Sequence, residues 1–187
     1  MSIRAFIALE LSDEARGELS RVEGLLKKAD ADVKWAAPEA IHITLKFFSN
    51  IPEEKVSSVA ESLKTVASRT HPFDITLSGI GVFPGWTRPT VLWVGINKGR
   101  GPLAELAGLV RSAMREEGKN KEEHSFSPHI TIGRIKSGRN RADIKNIADS
   151  IEIASISTHI SRIVFFKSFL TKEGAHHTVL STCNLTA

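Results

Sequence analysis

A single cysteine, Cys183, stands in 187 residues, so no disulfide can close within the chain and the composition suits a reducing compartment. No apolar run approaches the ~20 residues that a membrane span requires, which argues against an integral membrane protein. The opening stretch from Met1 is interrupted by Glu10 and reads as a strand, not a signal peptide. Together with the lone thiol, it points to the cytoplasm. Also missing are a P-loop, a dinucleotide fingerprint, a G-x-S-x-G elbow, an H-E-x-x-H helix and paired cysteines, each of which would carry its own chemistry. No linker or low-complexity stretch divides the chain, so 187 residues make one large domain or two small, intimate lobes. The 41% hydrophobic and 25% charged content is that of an ordinary globular protein with a proper core. A net charge of +4 with a pI near 9.3 mildly favours a polyanionic partner.

What is present is a phrase written twice: His42-Ile43-Thr44-Leu45-Lys46-Phe47 and His129-Ile130-Thr131-Ile132-Gly133-Arg134. On a β-strand, residues i and i+2 share a face, so each His stands beside its Thr while the isoleucines and Leu45 turn to a core. The histidines are 129 − 42 = 87 positions apart. The same offset lays Arg4–Leu9 on Val91–Ile96, Leu19 on Leu106 and Val22 on Leu109. This register implies an internal duplication, with halves starting near residues 3 and 90. Each half would supply one His-x-Thr strand to a shared cleft. Two imidazoles facing one cleft can act as general acid and general base without a metal, an arrangement suited to in-line displacement at phosphorus.

Periodicity supplies the remaining elements. Ser12 caps a helix over 13–28 with Ala15, Leu19, Val22 and Leu26 on one face. Pro38 precedes a strand over 41–48, and Pro52 opens a helix to about 67 along Val56, Val59, Leu63 and Val66. Strands near 73–82 and 90–97 flank a Pro84-Gly85 loop. The second half repeats the order: a helix near 102–117 ending at Gly118, a charged loop from Lys119 to Glu123, the strand 128–134, and a short helix near 140–149. Strands near 151–158, 161–169 and 176–185 follow. The class expected is α+β: a bilobal, pseudo-twofold fold of antiparallel-rich sheets flanked by helices, with a central cleft.

Around the histidines, Thr44 and Thr131 offer hydroxyls to phosphate oxygens, although Thr is also a favoured strand residue. Arg134 supplies a charged fork. Strict alternation sets Arg134 opposite His129, so it reaches the cleft only if the strand bulges or ends at Gly133. Lys46 shares the His42 face on the same alternation. Trp86, in a Pro-Gly-Trp-Thr-Arg-Pro loop, is the best base-stacking candidate, while Phe83 and Phe126 read more readily as core or loop anchors. Lys136, Arg139, Arg141 and Lys145 form either a rim for the polyanion or a solvated helix start. A zinc site from His124, His129, His176 and His177 is disfavoured: metal-ligand spacing is absent and both motif histidines pair with Thr, not a carboxylate. No metal and no cofactor are therefore expected.

These strings, with the preceding Pro128, resemble the two signature motifs of the 2H phosphoesterases, and most closely the bacterial and archaeal RNA 2′,3′-cyclic phosphodiesterases, also called 2′-5′ RNA ligases. The likeness runs nearly end to end. Arg4–Leu9, Trp35 and Pro38, Gly81–Pro84 with Arg88-Pro89, Trp93–Gly95, Ser168-x-Leu170 and Gly174 all take part. Ser49 departs from a usual Gly, and His176-His177 from a Pro-x-Tyr-like pattern, which bears on the cleft wall. The resemblance implies metal-independent opening of RNA 2′,3′-cyclic phosphate ends to 2′-phosphates, by a monomer needing no protein partner. It makes His42 the proton donor and His129 the proton acceptor, with Thr44, Thr131 and Arg134 holding developing charge. Open alternatives are a sibling activity (cleavage of 2′-5′ oligonucleotides, cyclic ADP-ribose phosphate or RNA 3′ tails, or 2′-5′ ligation) and a non-catalytic RNA-end binder. The intact His-x-Thr pairs argue against the last.

Overall fold

A computed structural model describes residues 1–115, 126–170 and 175–187 of the chain. The opening strand β1 (Ser2–Leu9) alternates Ala5, Ile7 and Leu9, all fully buried, with Arg4, Phe6 and Ala8 on its other face. Ser12 then caps α1 (Asp13–Leu26), its side chain accepting from the Ala15 amide at 3.2 Å. The helix buries Ala15, Leu19, Val22 and Leu26 as the periodicity requires. A three-residue strand, β2 (Val33–Trp35), and a 3-10 turn at Pro38–Ala40 lead into β3 (Ile43–Pro52). Another 3-10 turn, Glu53–Lys55, separates Pro52 from α2 (Val56–Ala67), so Pro52 closes the strand instead of opening the helix directly.

The hairpin β4 (Phe73–Phe83) and β5 (Val91–Ile96) is followed by α3 (Arg100–Ala113) and β6 (His129–Ile135). The stop expected at Gly118 and the loop from Lys119 to Glu123 lie outside the described residues. The chain ends through α4 (Arg141–Ser150), β7 (Ser157–Ile160), β8 (Arg162–Leu170) and β9 (Ala175–Asn184). The strand expected over 151–158 begins only at Ser157. Residues ahead of it are tied to α1 instead: buried Glu18 accepts from the Ala154 amide at 2.8 Å, and Arg21 donates to the Glu152 carbonyl at 2.8 Å. The Arg21 guanidinium, and then the Ala154 amide, hold the Glu18 carboxyl below its usual range despite burial.

The strands form two antiparallel sheets, ordered β3-β1-β8-β9 and β2-β6-β5-β4-β7. The α+β class and its pseudo-twofold relation are visible in this order: β1-α1-β3-α2-β4 is repeated as β5-α3-β6-α4-β8. The last strand of each repeat crosses over, since β4 lies beside β5 and β8 beside β1. Neither sheet belongs to one half alone, and the lobes interlock. Helix α2 packs on β8 and β9, α3 on α2 and β3, and α1 on α4. No helix among the described residues is long and apolar enough to cross a membrane.

Candidate active site

Both motif strands carry the same irregularity. In the β1–β3 ladder Ala8 opposes Thr44 and Ile7 opposes Lys46, so Leu45 is an extra residue on β3. In the β5–β6 ladder Trp93 opposes Thr131 and Leu92 opposes Gly133, so Ile132 is an extra residue on β6. The bulges fall at equivalent places, 132 − 45 = 87. The opening strands follow a different offset, 93 − 8 = 85, because Ala8 and Trp93 are the residues facing the two threonines. The two-residue difference preserves face parity, so Ala8 and Trp93 each share a face with the threonine they oppose.

A bulge puts two successive residues on one side of a sheet and shifts every later residue by one. Leu45 and Lys46 therefore both turn to the Ile7 side, and Lys46 is buried with its Nζ 5.3 Å from the Phe48 ring. Lys46 does not share the His42 face, and the alternation that assigned it to the cleft fails at the bulge. In the other lobe the same shift has the reverse effect. Arg134 opposes Val91, which lies two residues from Trp93, so Arg134 shares the face of Thr131 and His129 and is exposed there. Lys34 opposes Arg134 from β2 and adds a cation to that face. Glycine is required at 133 because β6 is covered by β2: a Cβ there would sit 2.7 Å from Val33 Cγ1 and 3.3 Å from Trp35 Cε3. The equivalent Lys46 fits because β3 is a sheet edge.

The two histidines are oriented alike. His42 Nδ1 lies 2.7 Å from the Ala40 carbonyl, and His129 Nδ1 lies 2.7 Å from the Ser127 carbonyl. A carbonyl only accepts, so each Nδ1 carries the hydrogen and each Nε2 is the nitrogen left for chemistry. The turn ahead of His42 is pinned by Arg16 of α1, which donates to the carbonyls of Pro38 at 2.6 Å and Ile41 at 3.1 Å. Strands β3 and β6 approach one another, bringing the motif strands of the two sheets together. Beneath each imidazole lies an aromatic bed. Phe6 stacks on His42 at 4.5 Å with a 20° interplanar angle, and Phe83 meets His129 edge-on at 5.0 Å. Trp93 closes the second bed, 6.5 Å from His129, its ring lying so close over Gly81 that a Cβ there would overlap it at 2.2 Å.

Burial in this bed lowers the His42 pKa from 6.5 to about 4, and His177 and Arg16 push the same way against the Ala40 hydrogen bond. His177 is itself shifted down, chiefly by burial. Its ring stands edge-on to both Phe6, at 4.7 Å, and His42, at 5.6 Å.

Other candidates lie elsewhere. Trp86 sits with Asn140, Arg141 and Lys145 around a shallow cavity of about 480 Å³ at the start of α4, with Lys145 Nζ 5.9 Å from its ring. Phe126 packs beneath Arg111 of α3. Arg139 is paired with Asp30 and Lys145 with Asp149, while Arg141 donates to the Thr87 carbonyl. Of the histidines considered for zinc, His124 lies outside the described residues, and among the described residues no three His, Cys, Asp or Glu side chains cluster as metal ligands. Sequence reasoning missed Phe6 and Lys34 beside the histidines, and it named His177 only as part of the cleft wall, not as a neighbour of His42. For Phe6 the signal was strand parity, since it lies two residues from exposed Arg4 on a strand whose other face is wholly apolar.

The family model described as LigT like Phosphoesterase matches twice, over residues 9–93 and 94–176. The RNA 2′,3′-cyclic phosphodiesterase of Methanothermobacter thermautotrophicus is 32% identical over 188 residues, 99% of this chain and 100% of the relative. Its namesake from Thermotoga maritima is 31% identical, covering 97% and 95%. Among solved structures, TT0787 of Thermus thermophilus superposes with a TM-score of 0.82 at 24% identity, over 98% of both chains. Escherichia coli LigT complexed with 3′-AMP gives 0.77 at 22% identity, over the whole of both. With the family's pattern matched in each half and its fold reproduced end to end, this chain belongs to the LigT-like family of 2H phosphoesterases and is a hydrolase.

Proposed function

We propose that residues 1–187 act as one catalytic unit that opens RNA 2′,3′-cyclic phosphate ends to 2′-phosphates, using two histidines and no metal. The observation that carries this reading is the matched pair of Nδ1–carbonyl hydrogen bonds, which present two Nε2 atoms on facing strands. The names of the relatives support the substrate class. Water gives a proton to His129 Nε2 as its oxygen forms the bond to phosphorus. The P–O3′ bond breaks in line, and His42 Nε2 delivers its proton to O3′. Thr44, on the His42 face of its strand, and Thr131 and Arg134, on the His129 face of theirs, stabilise the non-bridging oxygens.

A proton donor must be charged, whereas burial leaves His42 neutral in the empty cleft at pH 7. The substrate supplies the difference. One negative charge about 4 Å from the imidazole, at an effective dielectric of about 20, contributes about 4 kcal/mol, equivalent to roughly three pKa units. That offsets the burial shift and raises the His42 pKa back toward the working pH, so that the imidazole can carry its proton. The donor is thus charged by the anion on which it acts.

The deciding experiment incubates an oligoribonucleotide bearing a 2′,3′-cyclic phosphate with the protein in EDTA and identifies the product end. A 2′-phosphate formed at an undiminished rate is expected. Inactivity restored by a divalent ion would overturn the metal-free mechanism. Cleavage only of a 2′-5′ linkage would reassign the protein to a sibling activity.

A further inference from the structure

Cross-strand register places Arg4, Ser168 and His177 in one row across β1, β8 and β9. The row lies on the Phe6 face, beside the His42 imidazole, and no step of the proposed reaction uses it. His177 is held edge-on to His42 and Phe6, and its Nδ1 is buried with no hydrogen-bond partner. A buried polar nitrogen left without a partner is uncommon and points to a group that arrives with a ligand. At the other end of the row Arg4 is exposed, its guanidinium 5.3 Å above the Phe47 ring, so its stem is held while its donors stay free of the sheet. Ser168 lies between them with a hydroxyl. Arginine, hydroxyl and imidazole in a line form a donor set for a phosphate oxyanion.

We propose that Arg4, Ser168 and His177 form a second anion subsite, which takes the phosphodiester one nucleotide upstream of the reacting cyclic phosphate. This rests on the RNA-end reading above and deepens it: the subsite makes the cleft prefer a phosphate at the end of a strand over the same phosphate on a lone nucleotide. Contact between the His177 and His42 rings makes the two phosphate positions neighbours, as they are along one strand.

The test compares kcat/KM for adenosine 2′,3′-cyclic phosphate, for the ApA dinucleotide with a 2′,3′-cyclic phosphate, and for the same dinucleotide with an uncharged methylphosphonate at its internal linkage. The charged dinucleotide is expected to exceed the mononucleotide by about tenfold to a hundredfold, the scale of hydrogen bonds to a charged group. The methylphosphonate is expected to lose most of that gain, and Arg4→Gln and His177→Phe each to shrink the ratio between the two dinucleotides toward one. The ratio is insensitive to any loss that both substrates share, so a merely structural defect leaves it unchanged. A methylphosphonate as good as the charged dinucleotide would show that the second base, not the anion, is bound, and would overturn the proposal. So would a ratio untouched in both variants. If no cyclic phosphate is hydrolysed, it is the reaction assigned above that has failed. The subsite is then read from equilibrium binding of the two dinucleotides, where equal affinities would overturn it.

Discussion

Replacing His42 by Gln removes a group that the folded state holds neutral and the unfolded state does not, and the consequence for stability has a definite sign. The folded His42 titrates at about 4, against an ordinary value of 6.5. Above pH 6.5 neither state binds the proton and the residue adds no pH dependence. As pH falls from 6.5 toward 4, the unfolded chain is protonated and the folded chain is not, so folding loses about 1.4 kcal/mol per unit, or about 3 kcal/mol in all. The Gln variant lacks this term. The difference in unfolding free energy between wild type and His42→Gln, from urea midpoints at pH 7.5, 6, 5 and 4, should therefore move by about 3 kcal/mol against the wild type on acidification. Saturating sulfate, an anion that does not titrate in this range, should reduce that movement in the wild type by raising the folded pKa. Sulfate also stabilises proteins generally by exclusion from their surface, and the Gln variant measures that contribution. NMR titration of the His42 ring gives the same quantity directly. Parallel stability curves for the two proteins, or a ring that titrates near 6.5 without an anion, would refute both the burial argument and the substrate-charged donor built on it.

Four further outcomes follow from the site. His42→Ala and His129→Ala should each lower kcat on a 2′,3′-cyclic-phosphate oligonucleotide by at least ~10²-fold while circular dichroism stays native, and near-normal turnover by either would return that histidine to a structural role. Because the anion raises the His42 pKa, the pH optimum of kcat should lie above that of kcat/KM, which reports the empty cleft; coincident optima would mean that His42 does not change charge on binding. Arg134→Lys should fail to restore the kcat/KM lost in Arg134→Ala, since a point charge does not replace the planar fork, and full recovery would show that charge alone is needed. Gly133→Ala drives a Cβ into Val33 and should cost about 1–3 kcal/mol of stability, with Val33→Ala recovering much of it; equal midpoints for wild type and Gly133→Ala would show that β2 yields freely.

The contrast between Arg134 and Lys46 shows where the sequence was legible and where it was not. Local periodicity marked the helix faces, because a helix must bury one stripe whatever it packs against; Ala15, Leu19, Val22 and Leu26 lie where the 3.6-residue repeat puts them. The histidines and threonines were placed by the two-residue repeat because they precede the bulges. Beyond Thr44 and Thr131 the same rule assigns Lys46 to the cleft and Arg134 away from it, and both assignments reverse. A bulge is a property of pairing, not of one strand, and its only written trace here is the glycine at 133, needed because another strand covers that position. The crossing of β4 and β8 between lobes is equally silent, since each strand reads the same wherever it is docked. That crossing has a chemical consequence. By setting β8 beside β1 and carrying β9 with it, the fold brings His177, from the end of the second half, against His42, from the first. A duplicated sequence predicts two equivalent histidine environments. The exchanged strands make them unequal, with one imidazole edged by a third histidine and depressed to about 4, and the other set against Phe83 and Trp93. Topology acting on a repeated motif thus gives two imidazoles of one residue type different surroundings, and under the proposed roles it is the donor, His42, whose charge must come from the bound anion.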